Sequence, residues 1–516
     1  MIMKLNTLLI IAITLTALFA ACHDDNNPSG LESDSIEGFV KDNSGNPLSG
    51  ISVSDGFTIV QTDTKGYYSI PKRAPYAYWI YYSIPADVKI DIGDNGRPNF
   101  HQKIEPNKSR YDFTLTKQSV ENNFRILAIG DPQVSVSNNG LERFAKETVP
   151  DIREYVQAKK NDMPTYAVCV GDYVHNEWYL FKDIFALLSV ESLSVPCFTV
   201  IGNHDHEFNS ENTLFDLTSQ RLYEKEAGPV NYSFDRGNVH CVVIDNIIFE
   251  GTNESAKTHG LSESVNAWLK KDLSLVSRDK SVLIFSHVGM SLAEYPELFS
   301  LLSQFAEVRN ISGDSHSVIN NIYEVSGKEI YVNVVGTTNG VDWKGTICGD
   351  GAPMGYASFE VINGKVANHI YKPVKYPETF QMRIYRSADF PTFSHSIQGG
   401  SPISFSFYGN NDRSYVSVNV WNKTPKWTFE VYENNQLSSR SLMKYNMYDC
   451  WATYWFYKVK GVNTYTYCQR RDHMYYYKMD NPDARLKIVA KDEYGNTFEQ
   501  TEFTLPTSDH YPDFYR

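Results

Sequence analysis

Residues 196–206, Pro-Cys-Phe-Thr-Val-Ile-Gly-Asn-His-Asp-His, constrain this chain more than any other stretch. A run of β-branched and aromatic residues reads as a buried strand. It stops at Gly202, and four polar residues able to bind metals or move protons follow at once. In open α/β sheets, ligands sit beyond the carboxyl ends of the strands. Gly-Asn is also ordinary turn chemistry, so this stretch alone decides little. Four others repeat it. Residues 124–129 run into Gly130, Asp131, Pro132 and Gln133, and residues 166–170 run into Gly171, Asp172, Tyr173, Val174 and His175. Residues 281–285 end in Ser286 and His287, and residues 308–311 end in Ser312, Gly313, Asp314, Ser315 and His316. Independent surface turns would not each deliver a carboxylate, amide or imidazole to the same end of an apolar strand.

Helical patterns separate these strands. Leu141, Phe144, Ala145, Val149, Ile152 and Val156 recur at helical spacing, 177–190 reads as a second helix, and 262–273 as a third with Trp268 and Leu269 facing inward. Residues 239–245 add a strand. Residues 331–335 and 357–366, the latter turning at Asn363-Gly364, are expected to close a second sheet. Alternating strands and helices imply a layered α/β domain.

The order Asp-x-Gln, Gly-Asp, Gly-Asn-His-Asp, a lone strand-end His, then Gly-x-x-His resembles the calcineurin-like metallophosphoesterase superfamily over about half the chain. The resemblance implies a two-sheet αββα sandwich and a binuclear-metal phosphoester hydrolase using a metal-bridging hydroxide. Attack on phosphorus needs an oxygen nucleophile at neutral pH and neutralisation of developing charge, which two divalent ions roughly 3.5–4 Å apart provide. By the same mapping Asp131, Gln133, Asp172 and His316 would hold the first metal. Asp172, Asn203, His287 and Asp314 would hold the second. His204 matches the general acid or transition-state stabiliser, with Asp205 orienting its ring. His175 and His206 flank the site. Asn339, Asp342, Trp343, Asp350 and Tyr356, in a Gly-rich loop, are expected to wall the substrate pocket. Gln133 and Asp314 depart from the family, which usually has His at both positions. Oxygen-rich ligand sets favour Mn²⁺ or Mg²⁺, with Fe or Zn²⁺ also open. The same departures could mark a site drifting out of use. The competing expectation is therefore a noncatalytic surface lipoprotein that binds glycan or protein.

The flanks read differently. Lys4 is the only charge before His23, residues 5–21 are apolar with scattered Thr, and Leu18-Phe19-Ala20-Ala21-Cys22 resembles a bacterial lipoprotein signal. A spanning helix fits poorly, because the run is short, interrupted and abruptly polar at its end. The expectation is a signal peptide over 1–21, an acylated Cys22, a tether over 22–34 and attachment to a bacterial cell envelope, on the periplasmic or outer surface. Residues 35–117 alternate in strand fashion between the turns Asp42-Asn43-Ser44-Gly45 and Asp63-Thr64-Lys65-Gly66. They look like a small transthyretin-like or carboxypeptidase-regulatory-like β-sandwich that spaces and packs. The phosphoesterase domain is placed at 120–375 and a C-terminal β-rich domain at 376–516. In the latter Trp451, Tyr454, Trp455, Phe456, Tyr475, Tyr476 and Tyr477 could stack on a glycan or fill a core.

Composition excludes some partners. A formal net charge of −13 disfavours nucleic acid, which demands basic surfaces. The expected substrate is instead a phosphorylated small molecule or lipid: a phosphomonoester, a phosphodiester or a nucleotide-sugar diphosphate. The seven cysteines lack the paired short spacing of a zinc knuckle. Cys169 and Cys197 read as buried strand residues, and Cys450 with Cys468 could form a disulfide outside the cytoplasm.

Overall fold

Alternation along the strand Asn123–Ile129 sets the architecture. Phe124, Ile126 and Ala128 point into one core, and Leu127 and Ile129 into another, as the two-residue side-chain period of a strand requires. Both faces are apolar, so both must be covered. A computed structural model describes residues 35–71, 74–209, 215–340, 345–396, 403–409, 411–459, 461 and 468–506.

Two sheets share the first core. One has the strand order Cys197–Thr199, Thr165–Cys169, Asn123–Ile129, Gly355–Ile362, Lys365–Pro373. The other runs Tyr232–Arg236, Val239–Val243, Ser281–Phe285, Val308–Ser312, Lys328–Val334, Ile319–Val325. Cys241, Val243, Leu283 and Phe285 of the second sheet face Phe124, Ile126 and Ala128 of the first. On the outer faces, helix Val149–Lys159 and helix Phe181–Leu187 cover the first sheet. Helices Glu263–Ser274 and Pro296–Leu302 cover the second. The result is the expected αββα sandwich.

Three local expectations change. Residues 357–366 do not close the second sheet: Gly355–Ile362 pairs antiparallel with Asn123–Ile129 in the first. The helix expected from Leu141 to Val156 is present as an unbroken helical run from Gly140 to Lys159, but it carries a π-turn at Phe144–Thr148 ahead of Pro150. Proline lacks the N–H that a regular α-helix would use there. The helix expected over 177–190 shortens to Phe181–Leu187, and a separate turn follows at Val190–Leu193, capped by Ser189.

The N-terminal region forms two small sheets, and its Ile36, Val53, Ile80 and Phe113 join the core between the large sheets. Asp42 and Asp63 each fix their turn by accepting two backbone N–H groups, as Asx-turns do. Trp268 donates from Nε1 to Ser54 Oγ at 3.0 Å, tying this region to the outer helix of the second sheet.

The C-terminal region packs two four-stranded sheets over their own core. Its aromatic residues are mostly structural. Trp451, Phe456, Tyr475 and Tyr477 are buried, and Trp455 lies against Gly345 of the central domain. This removes most of the expected glycan platform. Among the named rings, Tyr476 stands at the surface side, with Tyr408 at 4.2 Å. Cys450 and Cys468 are free, buried thiols, and no disulfide joins them. Cys22 and the tether lie outside the described residues. Among the described residues no helix is long and apolar enough to cross a membrane.

Candidate metal centre

The five strand ends meet at one edge of the sandwich. His287 Nε2 lies 2.9 Å from Asn203 Oδ1, 3.3 Å from Asp172 Oδ1 and 3.8 Å from Asp314 Oδ1. Ligand atoms of Asp131, Asp172 and His316 all lie within 4.8 Å of one another. Gln133 is seated beside them by its backbone N–H, which donates to the Asp172 carbonyl at 2.7 Å. The side chains of Asp131 and His287 are fully buried, whereas His204, His316 and Asp314 are 12, 16 and 30% exposed. Solvent, and hence a substrate, reaches the site from that side.

The backbone here is strained. Asp131, Gln133, Asp172, Asp314 and His316 all adopt left-handed φ, between 37° and 67°. Such conformations cost about 1–3 kcal/mol for each non-glycine residue and persist where surrounding structure over-determines them. Five of the seven candidate ligands are held this way, and such strain clusters at binding and catalytic sites. Two glycines let the loops interleave. A Cβ on Gly171, at φ +100°, would sit 2.5 Å from His287 Nδ1, and one on Gly202 only 2.2 Å from the Asp172 backbone nitrogen.

The electrostatics ask for a cation. His287 Nδ1 is 2.7 Å from the Val170 carbonyl, so Nδ1–H donates there and Nε2 faces three oxygens. This is the second-sphere arrangement that fixes a ligating imidazole. Burial works against charge on His287, but Asp172, Asp131 and Asp314 outweigh it and raise its pKa well above the usual range. The surroundings that would drive a proton onto Nε2 would equally hold a metal there. Burial pushes the Asp131 carboxyl far upward and Asp172 and Asp314 add repulsion, against the attraction of His287. Burial also opposes the charge on Asp172, which His287 and His204 nonetheless hold well below the ordinary range. Oδ2 of Asp131 and Oε1 of Gln133 are buried without a hydrogen-bond partner. Orphaned acceptors of this kind are rare in native cores, and coordination to a divalent cation satisfies them.

His204 is held differently from the expectation. Its Nδ1 is 2.9 Å from Asn176 Oδ1 and its ring stacks on His175 at 4.7 Å. Asp205 does not orient the ring. Its carboxylate instead accepts the backbone N–H groups of Gly202, Asp172 and Tyr173 at 2.8–2.9 Å, clamping two ligand loops together. A carboxylate beside several unpaired N–H groups satisfies the backbone first. Lys257 Nζ lies 3.5 Å from Asn176 Oδ1, and Glu254 Oε1 is 3.5 Å from His204 Nδ1. Asn176, Glu254 and Lys257 were not legible as site residues. The last two come from the hairpin formed by Ile247–Phe249 and Lys257–His259, which carries no motif of its own.

Several expected pocket residues lie elsewhere. Tyr356 is buried beneath the first sheet, where its hydroxyl donates to Asp151 at 2.9 Å. Asp350 is buried and accepts from Val318 N–H and His473. Asn339 braces the Asp131 loop by donating to the Pro132 carbonyl. His206 is fully buried behind the metal loops, against Ser219 at 2.8 Å. Trp343 and Asp342 lie outside the described residues.

Three family models match the chain. They are described as the N terminal of Calcineurin-like phosphoesterase over residues 34–118, Calcineurin-like phosphoesterase over 124–318, and the C terminal of Calcineurin-like phosphoesterase over 333–498. No curated protein matches. Similar solved structures include a dimetal phosphatase from Danio rerio, at 15% identity and TM-score 0.33 over 49% of this chain and 96% of its own. The purple acid phosphatase PPD1 of yellow lupin (Lupinus luteus) aligns at 13% identity and TM-score 0.31 over 62% and 69%. The NAD nucleotidase of Haemophilus influenzae aligns at 11% and 0.28 over 50% of each chain.

Proposed function

Because the chain is a calcineurin-like phosphoesterase with both of that family's companion domains, we propose that it hydrolyses a phosphomonoester, phosphodiester or nucleotide-sugar diphosphate at the bacterial cell envelope. The observation that carries the reading is His287 Nε2, buried and turned toward the oxygens of Asn203, Asp172 and Asp314. Asp131, Gln133, Asp172 and His316 would hold one metal, and Asp172, Asn203, His287 and Asp314 the other. When bound, two such ions supply charge neutralisation at phosphorus and a nucleophile at neutral pH.

The chain's own residues bind and orient. Asp205 fixes the spacing between the Gly171 and Gly202 loops through three backbone hydrogen bonds. Asn176 accepts from His204 Nδ1–H, which leaves Nε2 to exchange a proton with the leaving oxygen. Lys257, beside Asn176, adds positive charge on the side a phosphoryl group approaches. Protein reconstituted with Mn²⁺ should turn over at least one of para-nitrophenyl phosphate, its bis-ester and nucleotide sugars. Inactivity on all three with both metals bound would remove the hydrolase reading from these substrate classes.

Two imidazoles stand among seven candidate ligands, so Mn²⁺ or Mg²⁺ suits the set better than Zn²⁺. Asp314→His should shift relative affinity from Mn²⁺ toward Zn²⁺ in competitive calorimetric titrations. An unchanged preference would take Asp314 out of the ligand set.

The Leu18–Cys22 pattern supports attachment through acylated Cys22. Labelled palmitate should mark the wild-type chain and not Cys22→Ser. Equal labelling of both proteins would end the lipid-anchor proposal.

A further inference from the structure

Behind the loop that carries Asn203 and His204, a second polar cluster is built from residues with no part in the first. His206, Asp216 and Asp245 place one ligand atom each within 4.8 Å of one another. His206 and Asp245 are buried, at 0 and 1% exposure. The imidazole is fixed from its far side. Ser219 Oγ donates to the Asp216 carbonyl at 2.7 Å, so the same oxygen accepts from His206 Nδ1–H at 2.8 Å. The lone pair of Nε2 is thereby turned inward, and Nε2 has no hydrogen-bond partner.

The carboxylates are held ready in the same way. Asp245 accepts from Gln220 Nε2 at 2.6 Å and from Ile247 N–H at 2.9 Å. Asp216 accepts from Phe249 N–H at 2.8 Å. Among the described residues, His206 is the one basic side chain paired with either of them. Burial and the charge of Asp245 push the Asp216 carboxyl up to about 7.

We infer that His206, Asp216 and Asp245 form a third cation site, distinct from the dinuclear centre, for a divalent ion of the zinc or manganese class. Nε2 stands 3.7 Å from Asp245 Oδ1, too long for a hydrogen bond. It is near the roughly 3.3–3.7 Å that separates two ligands of one ion at metal–ligand distances of about 2.0–2.2 Å. Another buried histidine in this fold shows the contrast. Both ring nitrogens of His240 lie 2.7 Å from carboxylate oxygens, which is a closed ion pair with no room for a metal. One imidazole and two carboxylates suit borderline ions better than Mg²⁺ or Ca²⁺. The ion would join the loop after Cys197–Thr199 to helix Asp216–Ser219 and to the end of strand Val239–Val243. It would thus fix His204 from behind and is structural, not catalytic.

Full-length protein equilibrated with Zn²⁺ and freed of excess should carry one more zinc per chain than Asp216→Asn, by plasma mass spectrometry. Asp172→Asn should lose zinc from the dinuclear centre and keep the third ion. The one-ion difference at Asp216 stands or falls separately from the dinuclear reading. In zinc-loaded wild-type crystals, anomalous scattering should place a peak within bonding distance of His206 Nε2, a measurement that needs no variant to fold. Equal zinc in wild type and Asp216→Asn, or no peak at His206, would overturn the site.

Discussion

Replacing His204 with asparagine is expected to lower kcat/KM by roughly 10²–10⁴-fold on alkyl phosphates, the usual worth of a positioned proton donor. Bound metal should not change, because the candidate ligands are other residues. Burial holds the His204 imidazole down at about 3, so the free ring is neutral; to donate, it must first take a proton from solvent at Nε2, which the negative charge of a bound phosphoryl group favours. Asn176 Oδ1 accepts a hydrogen bond from Nδ1–H at 2.9 Å, and the exchangeable position is then Nε2. The loss should be far smaller with nitrophenyl esters, whose leaving group departs without a proton. Equal losses on both kinds of ester, with metal content unchanged, would remove His204 from proton transfer and leave it only a binding role.

Asp272→Asn is expected to destabilise the fold by about 3–5 kcal/mol near neutral pH, the cost of breaking a buried ion pair from one side. His240 is clamped between Asp235 and Asp272, each at 2.7 Å. Lys280 bonds Asp235 and Ser233 bonds Asp272, which completes the network. Burial disfavours the imidazolium, yet Asp272 and Asp235 raise its pKa to about 10. The folded value exceeds the unfolded one of about 6.5. The pair's contribution is therefore complete below about pH 6.5 and is lost as pH rises through about 10. Thermal unfolding at pH 6, 8 and 10 should show the gap between wild type and variant closing across that window. A gap of constant size would mean that His240 is not charged in the folded protein.

The polar residues of the candidate metal centre were legible in order along the chain. Each candidate ligand follows an apolar strand directly, and a strand end is a local pattern. The apolar run 124–129 read as a strand and forms Asn123–Ile129, and residues 262–273 read as a helix and form Glu263–Ser274. The reading failed where a residue's partner lies far away in sequence. Gly355–Ile362 carries no mark saying which sheet it joins, and it settles beside Asn123–Ile129, more than 200 residues earlier. Tyr356 looked like a pocket wall because its loop is rich in glycine, but strand alternation turns its ring toward Asp151.

What the sequence determined by itself is the set of elements and the polar residues at their ends, because hydrophobic period and strand termination are local. What only the tertiary structure decided is which partner satisfies each buried polar group. Asp205 faces three backbone N–H groups in place of the ring beside it. Asn176 reaches His204 across 28 residues, and His206 turns from the candidate metal centre toward Asp216 and Asp245. A buried donor or acceptor costs about 1–3 kcal/mol if left unpaired. Its orientation is therefore set by whatever the packed strands and loops bring within about 3 Å, a distance that the order of residues along the chain does not encode.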